Sequence, residues 1–250
     1  MSEILFKHRS IRKYKSKPIG EEVLNKILEA GSRASTTGNM QVYSMVVTKS
    51  DKIKRELLGA HFNQQMVVQA PVIITFCADF NRFNKWCKLN KAIPGYDNFL
   101  SFYTASIDAL LASQNVAIAA ESNSLGICYL GTTTYMASKI ATILELPVGV
   151  VPVTTLVVGY PDENPALTDR LPMRAVVHHE KYQDFSDKEI KEIYKARDTS
   201  EETKELLEIN QKETLAQVFT ENRYRKKDNV HFSEEFLKII DEKGFMNHEE

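Results

Sequence analysis

Two stretches decide how this chain folds: Val42-Tyr43-Ser44-Met45-Val46-Val47-Thr48 and Pro71-Val72-Ile73-Ile74-Thr75-Phe76-Cys77-Ala78-Asp79. Both are short and rich in Val and Ile, whose branched side chains suit a pleated strand better than a helix. Between them, residues 52–69 carry Ile53, Leu57, Leu58, Met66 and Val67 at loosely helical spacing, so the order is strand, helix, strand. A crossover of that kind calls for a helix packed on a sheet. Upstream, residues 18–34 place Ile19, Val23, Ile27 and Leu28 on one face and Glu21, Glu22, Lys26 and Glu29 on the others, an amphipathic helix. Downstream, residues 127–130 and 151–158 read as further buried strands, with a helix over 137–146 between them. The pattern predicts a layered α/β or α+β domain.

Residues 99–124 predict a long helix in which Ile107, Leu110, Leu111 and Ile118 share one face and Val116, Ala119 and Ala120 occupy others. Its one charge between Asp97 and Glu121 is Asp108. A membrane span is rejected, because Ser101, Thr104, Ser106, Ser113, Gln114 and Asn115 would strand polar groups in hydrocarbon. Being apolar almost all round, the helix must be covered on every side. The expectation is a core helix whose second face meets another subunit.

The 250 residues are 43% hydrophobic, enough for a sizeable core. Lys plus Arg (32) and Asp plus Glu (33) nearly cancel, so no overall field favours nucleic acid or an anionic membrane. Cys77, Cys87 and Cys128 are too few and too scattered for a disulfide framework or a four-ligand zinc site. Together with a charged N-terminus unlike a signal peptide, this predicts a reducing, cytoplasmic location. From Ser186 onward charge rises to 29 of 65 residues, with spaced apolar residues such as Ile190, Ile193, Leu206, Leu207, Phe236 and Ile240. The expected organisation is a main domain over 1–185 and a C-terminal helical extension over 186–250, packed on the same domain or on a partner subunit.

Two segments carry candidate chemistry. His8-Arg9-Ser10-Ile11-Arg12 gathers two guanidinium groups, an imidazole and a hydroxyl, a set of donors suited to a phosphate; a solvated basic arm is the plain alternative. Ala34-Ser35-Thr36-Thr37-Gly38-Asn39-Met40-Gln41 leads from the first helix into a strand. Its small hydroxyl residues around a glycine let backbone amides approach an anion or a planar ring; an ordinary turn is the alternative there. No Gly-x-Gly-x-x-Gly dinucleotide fingerprint is present. The adjacent His178-His179-Glu180 does not make a metal site, since neighbours on an extended segment point to opposite faces. Trp86 and Cys87 are read as packing residues in a loop.

In this order and spacing, the two segments resemble the N-terminal signature of the nitroreductase and flavin reductase family. The resemblance continues through Gln64, Gln69-Ala70-Pro71, Gln114-Asn115, Leu125-Gly126-Ile127-Cys128-Tyr129-Leu130-Gly131, Leu146-Pro147, Val158-Gly159-Tyr160-Pro161 and Asn164-Pro165 to Arg170-Leu171-Pro172, covering roughly residues 6 to 182. It is greatest to the larger, NADPH-preferring branch, which carries an extended C-terminal helical region.

The resemblance implies an α+β sandwich with a central mixed sheet flanked by helices, an intertwined homodimer, and FMN bound at each of two interface sites. Carried over by position, His8, Ser10 and Arg170 would meet the FMN phosphate with Arg9 nearby, Arg12 the N1–O2 edge of the ring, and Gln64 its pyrimidine portion. Thr36, Thr37, Gly38 and Asn39 would line the site from the partner chain. Tyr129, Leu130, Gly131 and Thr132 would face the ring near N5. Hydride would pass from NADPH or NADH to the flavin and on to a nitroaromatic, quinone or flavin acceptor in ping-pong fashion, with no catalytic side chain and no metal. Two positions depart from close relatives: Thr168 replaces a lysine of the phosphate set, and Thr132 replaces a second glycine, which would narrow the pocket. Arg223 and Arg225, in the densest basic run, are weaker candidates for NAD(P)H binding, a solvated run being the alternative. A flavin-binding protein without turnover, or a member specialised for one metabolite, is the competing functional reading.

Overall fold

The computed structural model describes residues 2–249. It contains four strands: β1 (Tyr43–Thr48), β2 (Val72–Asp79), β3 (Gly126–Leu130) and β4 (Val150–Gly159). They form one sheet in the order β1-β2-β4-β3, and every neighbouring pair is antiparallel. The expected mixed sheet is thus corrected. Thr48 pairs with Ile73, so the connection after β1 re-enters at the end it left and makes no crossover. Among the described residues, only the isolated bridge from Ser10 to Ile127 is parallel. β2, a central strand, is buried at all eight positions, as its unbroken apolar run requires.

The expected helix over 52–69 is two pieces, Asp51–Ala60 and Met66–Gln69. Between them Phe62 and Asn63 take left-handed φ of 53° and 57°, a conformation that cannot continue a right-handed helix. Trp86 and Cys87, expected in a loop, lie instead in the helix Asn81–Leu89. Among the described residues, no helix is long and apolar enough to cross a membrane.

The central helix runs Phe99–Ser122, started by Asn98, whose side chain accepts from the Ser101 amide at 3.0 Å. Its inner stripe is built from small residues: Ala105, Ala109, Ala112, Ala117 and Ala120, with Val116, all buried. All but Ala105 pack beneath the sheet with Ile27, Ile74, Phe76, Ile127 and Leu156, while Ala105 packs with Val42, Phe102 and Phe245. The helix Glu21–Ser32 approaches so closely that a Cβ on Gly31 would stand 2.5 Å from Val116 Cγ2. Large residues expected to be covered point outward: Leu100 (71% exposed), Tyr103 (56%), Leu110 (47%) and Leu111 (45%). A single chain covers only one side of this helix.

Compactness divides the chain into one unit comprising residues up to Ala166 and from Phe232 onward, and another, Leu167–His231. The second unit holds the helices Asp187–Asp198 and Glu201–Asn210, the former opened by a Ser186–Glu189 capping box.

Candidate functional site

Residues 8–15 form an arm along the β3 edge of the sheet. Ser10 bridges Ile127, the Ile11 amide donates to Ile127 O at 2.8 Å, and the Lys15 amide to Tyr160 O at 2.9 Å. Ile11 and Tyr14 are the buried anchors. The Tyr14 hydroxyl donates to Ile11 O at 2.6 Å, and burial raises its pKa, which keeps it a donor. Two glycines opposite one another on β3 and β4 admit the arm. A Cβ on Gly126 would lie 2.7 Å from Ile11 Cγ1, and one on Gly159 2.8 Å from Tyr14 Cδ1.

With Ile11 sunk, Arg12 is exposed beside Tyr14 and the buried Cys128 thiol, and its guanidinium makes no hydrogen bond or ion pair among the described residues. Its backbone is fixed by Glu163, whose Oε1 accepts from the Arg12 amide and, at 3.0 Å, from the Lys13 amide. Glu121 Oε1 lies 2.8 Å from His8 Nδ1, so an incoming ligand would meet Nε2. The Ser10 hydroxyl contacts the Cys128 thiol. Arg9 is committed elsewhere, donating to Asn164 Oδ1 at 2.6 Å and Pro165 O at 2.8 Å. A cavity of about 460 Å³ alongside is lined by Glu3, Glu121 and Glu163 as well as Lys7 and Arg9, a carboxylate-rich wall that does not suit a phosphate.

At the other end of β3 the chain passes through Tyr129 and Leu130 to Gly131 and Thr132. The Tyr129 hydroxyl donates to Ser113 Oγ at 3.2 Å, and burial raises its pKa. A Cβ on Gly131 would meet nothing within 4 Å, so the space above it is open. Thr132 does not narrow that space, because its side chain is buried and its Oγ1 lies 2.8 Å from Nδ1 of the fully buried His61. His61 begins the left-handed turn that leads to Gln64, whose side-chain amide makes no hydrogen bond among the described residues. One hydrogen bond thus joins the Gln64 turn to the Gly131–Thr132 corner.

The loop 36–41 stands apart, with no hydrogen bond to the arm or to the end of β3 among the described residues. Gly38, Asn39 and Gln41 all adopt left-handed φ, 57°, 54° and 54°. Asp108, only 1% exposed, holds the loop to the central helix by accepting from the Thr37 amide at 3.0 Å and the Val42 amide at 3.4 Å.

Within Leu167–His231, Arg170 donates to Thr168 Oγ1 at 2.7 Å and Asp169 O at 2.8 Å, so the Thr168 hydroxyl occupies this guanidinium. Arg170, Arg197 and Arg223 line one cavity of about 390 Å³ with Leu171, Leu206 and Phe219. Arg225 forks onto Asp228 at 2.6 and 3.1 Å. His178 stacks on Tyr182, and its Nδ1 accepts from the Gln183 amide, whereas His179 is exposed.

Sequence reasoning passed over His61, Glu121, Glu163 and Arg82, each of which acts through a partner distant in sequence. Asp108 was visible as the lone charge of an apolar helix but was given no role.

An antiparallel sheet edged by a basic arm, with an open glycine corner at the far end of the same strand, frames the candidate site. The chain belongs to the nitroreductase family, whose model matches residues 5–160. A Staphylococcus aureus (strain MSSA476) protein named NADPH-dependent oxidoreductase is 34% identical over 229 residues, covering 88% of this chain and 90% of its own. A crystal structure from Bacteroides fragilis NCTC 9343 matches with a TM-score of 0.97 and 49% identity, covering 98% of this chain and all (100%) of that one. The NADPH:FMN oxidoreductase from Vibrio harveyi, solved with NAD+, matches with a TM-score of 0.79 and 27% identity over 99% of both chains.

Proposed function

We propose that this chain is an FMN-dependent NAD(P)H oxidoreductase that reduces nitroaromatic, quinone or flavin acceptors. The observation that carries the reading is the row of polar groups along β3, from the arm at its start to the open Gly131 corner at its end. His8 Nε2 and the Ser10 hydroxyl lie on the arm towards the start of β3, and the free Arg12 guanidinium lies beside Cys128 at the middle of the strand. The unbonded Gln64 amide lies beside the open Gly131 corner. A five-residue strand spans roughly 16 Å, room for an elongated ligand with an anionic and a planar part. These donors fit FMN. The names carried by the Staphylococcus and Vibrio relatives support the same cofactor and an NADPH donor.

When bound, FMN would supply two-electron hydride chemistry, with negative charge on its N1–O2 edge once reduced. Arg12, anchored through Glu163, would hold a fixed positive charge at that edge. His8, oriented by Glu121, and Ser10 would hold the phosphate, with Arg9 at its margin. Gln64 would bond the pyrimidine portion, and Tyr129, Leu130, Gly131 and Thr132 would border the reacting face. For Arg170 the assignment rests on family resemblance alone. Arg223, sharing its cavity with Arg197, would meet the phosphates of the nucleotide donor, with Arg225 beside it. No side chain acts as nucleophile; the protein orients reactants and leaves one face open.

The working unit is a homodimer in the cytoplasm. The outward Leu100, Tyr103, Leu110 and Leu111 give it an apolar interface, and Thr36, Thr37, Gly38 and Asn39 would reach the partner's flavin. Residues 1–185 form the FMN-binding domain, and 186–250 the helical extension. Steady-state kinetics over a matrix of donor and acceptor concentrations test the reading: parallel double-reciprocal lines are expected, and intersecting lines contradict ping-pong exchange. Stopped-flow flavin reduction with NADH and NADPH in turn assigns the donor.

A further inference from the structure

Asp108 is a buried carboxylate without a cation partner among the described residues. Such a group is costly to desolvate unless hydrogen bonds replace its water. Here those bonds come from one loop: the Thr37 amide at 3.0 Å and hydroxyl at 3.4 Å reach Oδ1, and the Val42 amide at 3.4 Å reaches Oδ2. The two amides flank the segment in which Gly38, Asn39 and Gln41 are left-handed. Asn39 adopts that conformation readily, but for Gln41 it is disfavoured and persists only where surrounding contacts impose it. From the other side Arg82 donates to Gln41 O and, at 3.5 Å, to Tyr43 O. Asp79 positions Arg82, its Oδ1 accepting from the Arg82 amide at 3.3 Å, while Ser44 Oγ donates to Oδ2. The loop is thereby gripped through its own backbone: amides by an acid on the central helix, carbonyls by a base in the first turn of the helix Asn81–Leu89.

We infer that Asp108 and Arg82 are positioning residues that preset the 36–41 loop for cofactor binding, so that Thr37 and Asn39 need not be ordered when the ligand arrives. A loop already fixed in its bound shape loses less entropy on binding. Because Asp108 sits between the outward Ile107 and the outward Leu110 and Leu111, the clamp also ties the loop to the face offered to a partner. This inference rests on the flavin reading, in which that loop lines the partner's site.

The test compares the wild-type dimer with Asp108→Asn by FMN titration, visible circular dichroism of the bound flavin, and amide hydrogen exchange. In the variant, one amide of the pair faces an NH2 group instead of an oxygen. The expected result is FMN affinity at least tenfold weaker, an altered flavin dichroism, and faster exchange confined to residues 36–42. If Asp108→Asn does not fold, the exposed Arg82→Gln is read instead, with the same loop-confined effect expected. Unchanged FMN affinity in a folded variant overturns the inference, as does exchange that rises evenly along the central helix with affinity intact, the mark of a merely structural role. Wild-type protein that takes up no FMN overturns the flavin reading itself and the positioning role with it.

Discussion

Acidification should destabilise this protein through His61. His61 is fully buried, its Nδ1 meets only Thr132 Oγ1, and its Nε2 has no partner among the described residues. Burial lowers its pKa from 6.5 to about 4. The unfolded chain therefore binds this proton more readily than the folded one. The stability tied to the neutral ring is complete above pH 6.5 and is lost as pH falls through about 4. A gap of that size corresponds to on the order of 3 kcal/mol in full, and at pH 5 to about 2 kcal/mol. For a chain of this length that is a fall in melting temperature of roughly 4–8 °C between pH 7 and pH 5. Melting curves of the wild type and of His61→Gln across this range isolate the effect, since all other titrating groups are shared. The wild-type curve should fall more steeply than the variant's. Parallel curves would refute the neutral buried histidine and, with it, the tie between the Gln64 turn and the Gly131 corner.

Arg12→Ala should weaken FMN binding roughly tenfold to a hundredfold, as expected for a lost charged hydrogen bond, or lower the flavin midpoint potential; titration and dye-linked potentiometry that show neither effect contradict its assigned place. Leu111→Glu, placing a charge on the outward face of the central helix, should shift the protein from dimer to monomer in sedimentation velocity, and an unchanged dimer would mean that this face is not the interface. Gly126→Ala should cost about 1–3 kcal/mol in denaturant unfolding, because the new methyl meets Ile11 at 2.7 Å, and should loosen FMN as the arm shifts; full stability would show that the arm can yield.

Strand positions were legible because runs such as 72–79 are buried on both faces and need no periodicity to stand out. The two-piece helix over 51–69 was not, since Phe62 and Asn63 give no glycine or proline warning of a left-handed turn. Periodicity showed that the central helix is apolar on several faces, but with alanine on one side and leucine on the other it could not say which is turned inward. Strand direction also escaped, because a connection of more than twenty residues fits a crossover as well as a return to the same end. At the candidate site the arm and the 36–41 loop announced themselves by residue type. Their holders, Glu163, Glu121, Asp108 and His61, did not, because each acts on a segment that only folding brings near.

The most direct test of the central claim is the anaerobic visible spectrum of the purified protein before and after addition of NADPH. The account predicts a yellow protein with a flavin band near roughly 450 nm that bleaches on addition of the donor and returns with a quinone acceptor, the two-step behaviour of a cofactor that carries the redox chemistry. A colourless protein that takes up no added FMN, or a bound flavin that neither NADPH nor NADH bleaches, would contradict it.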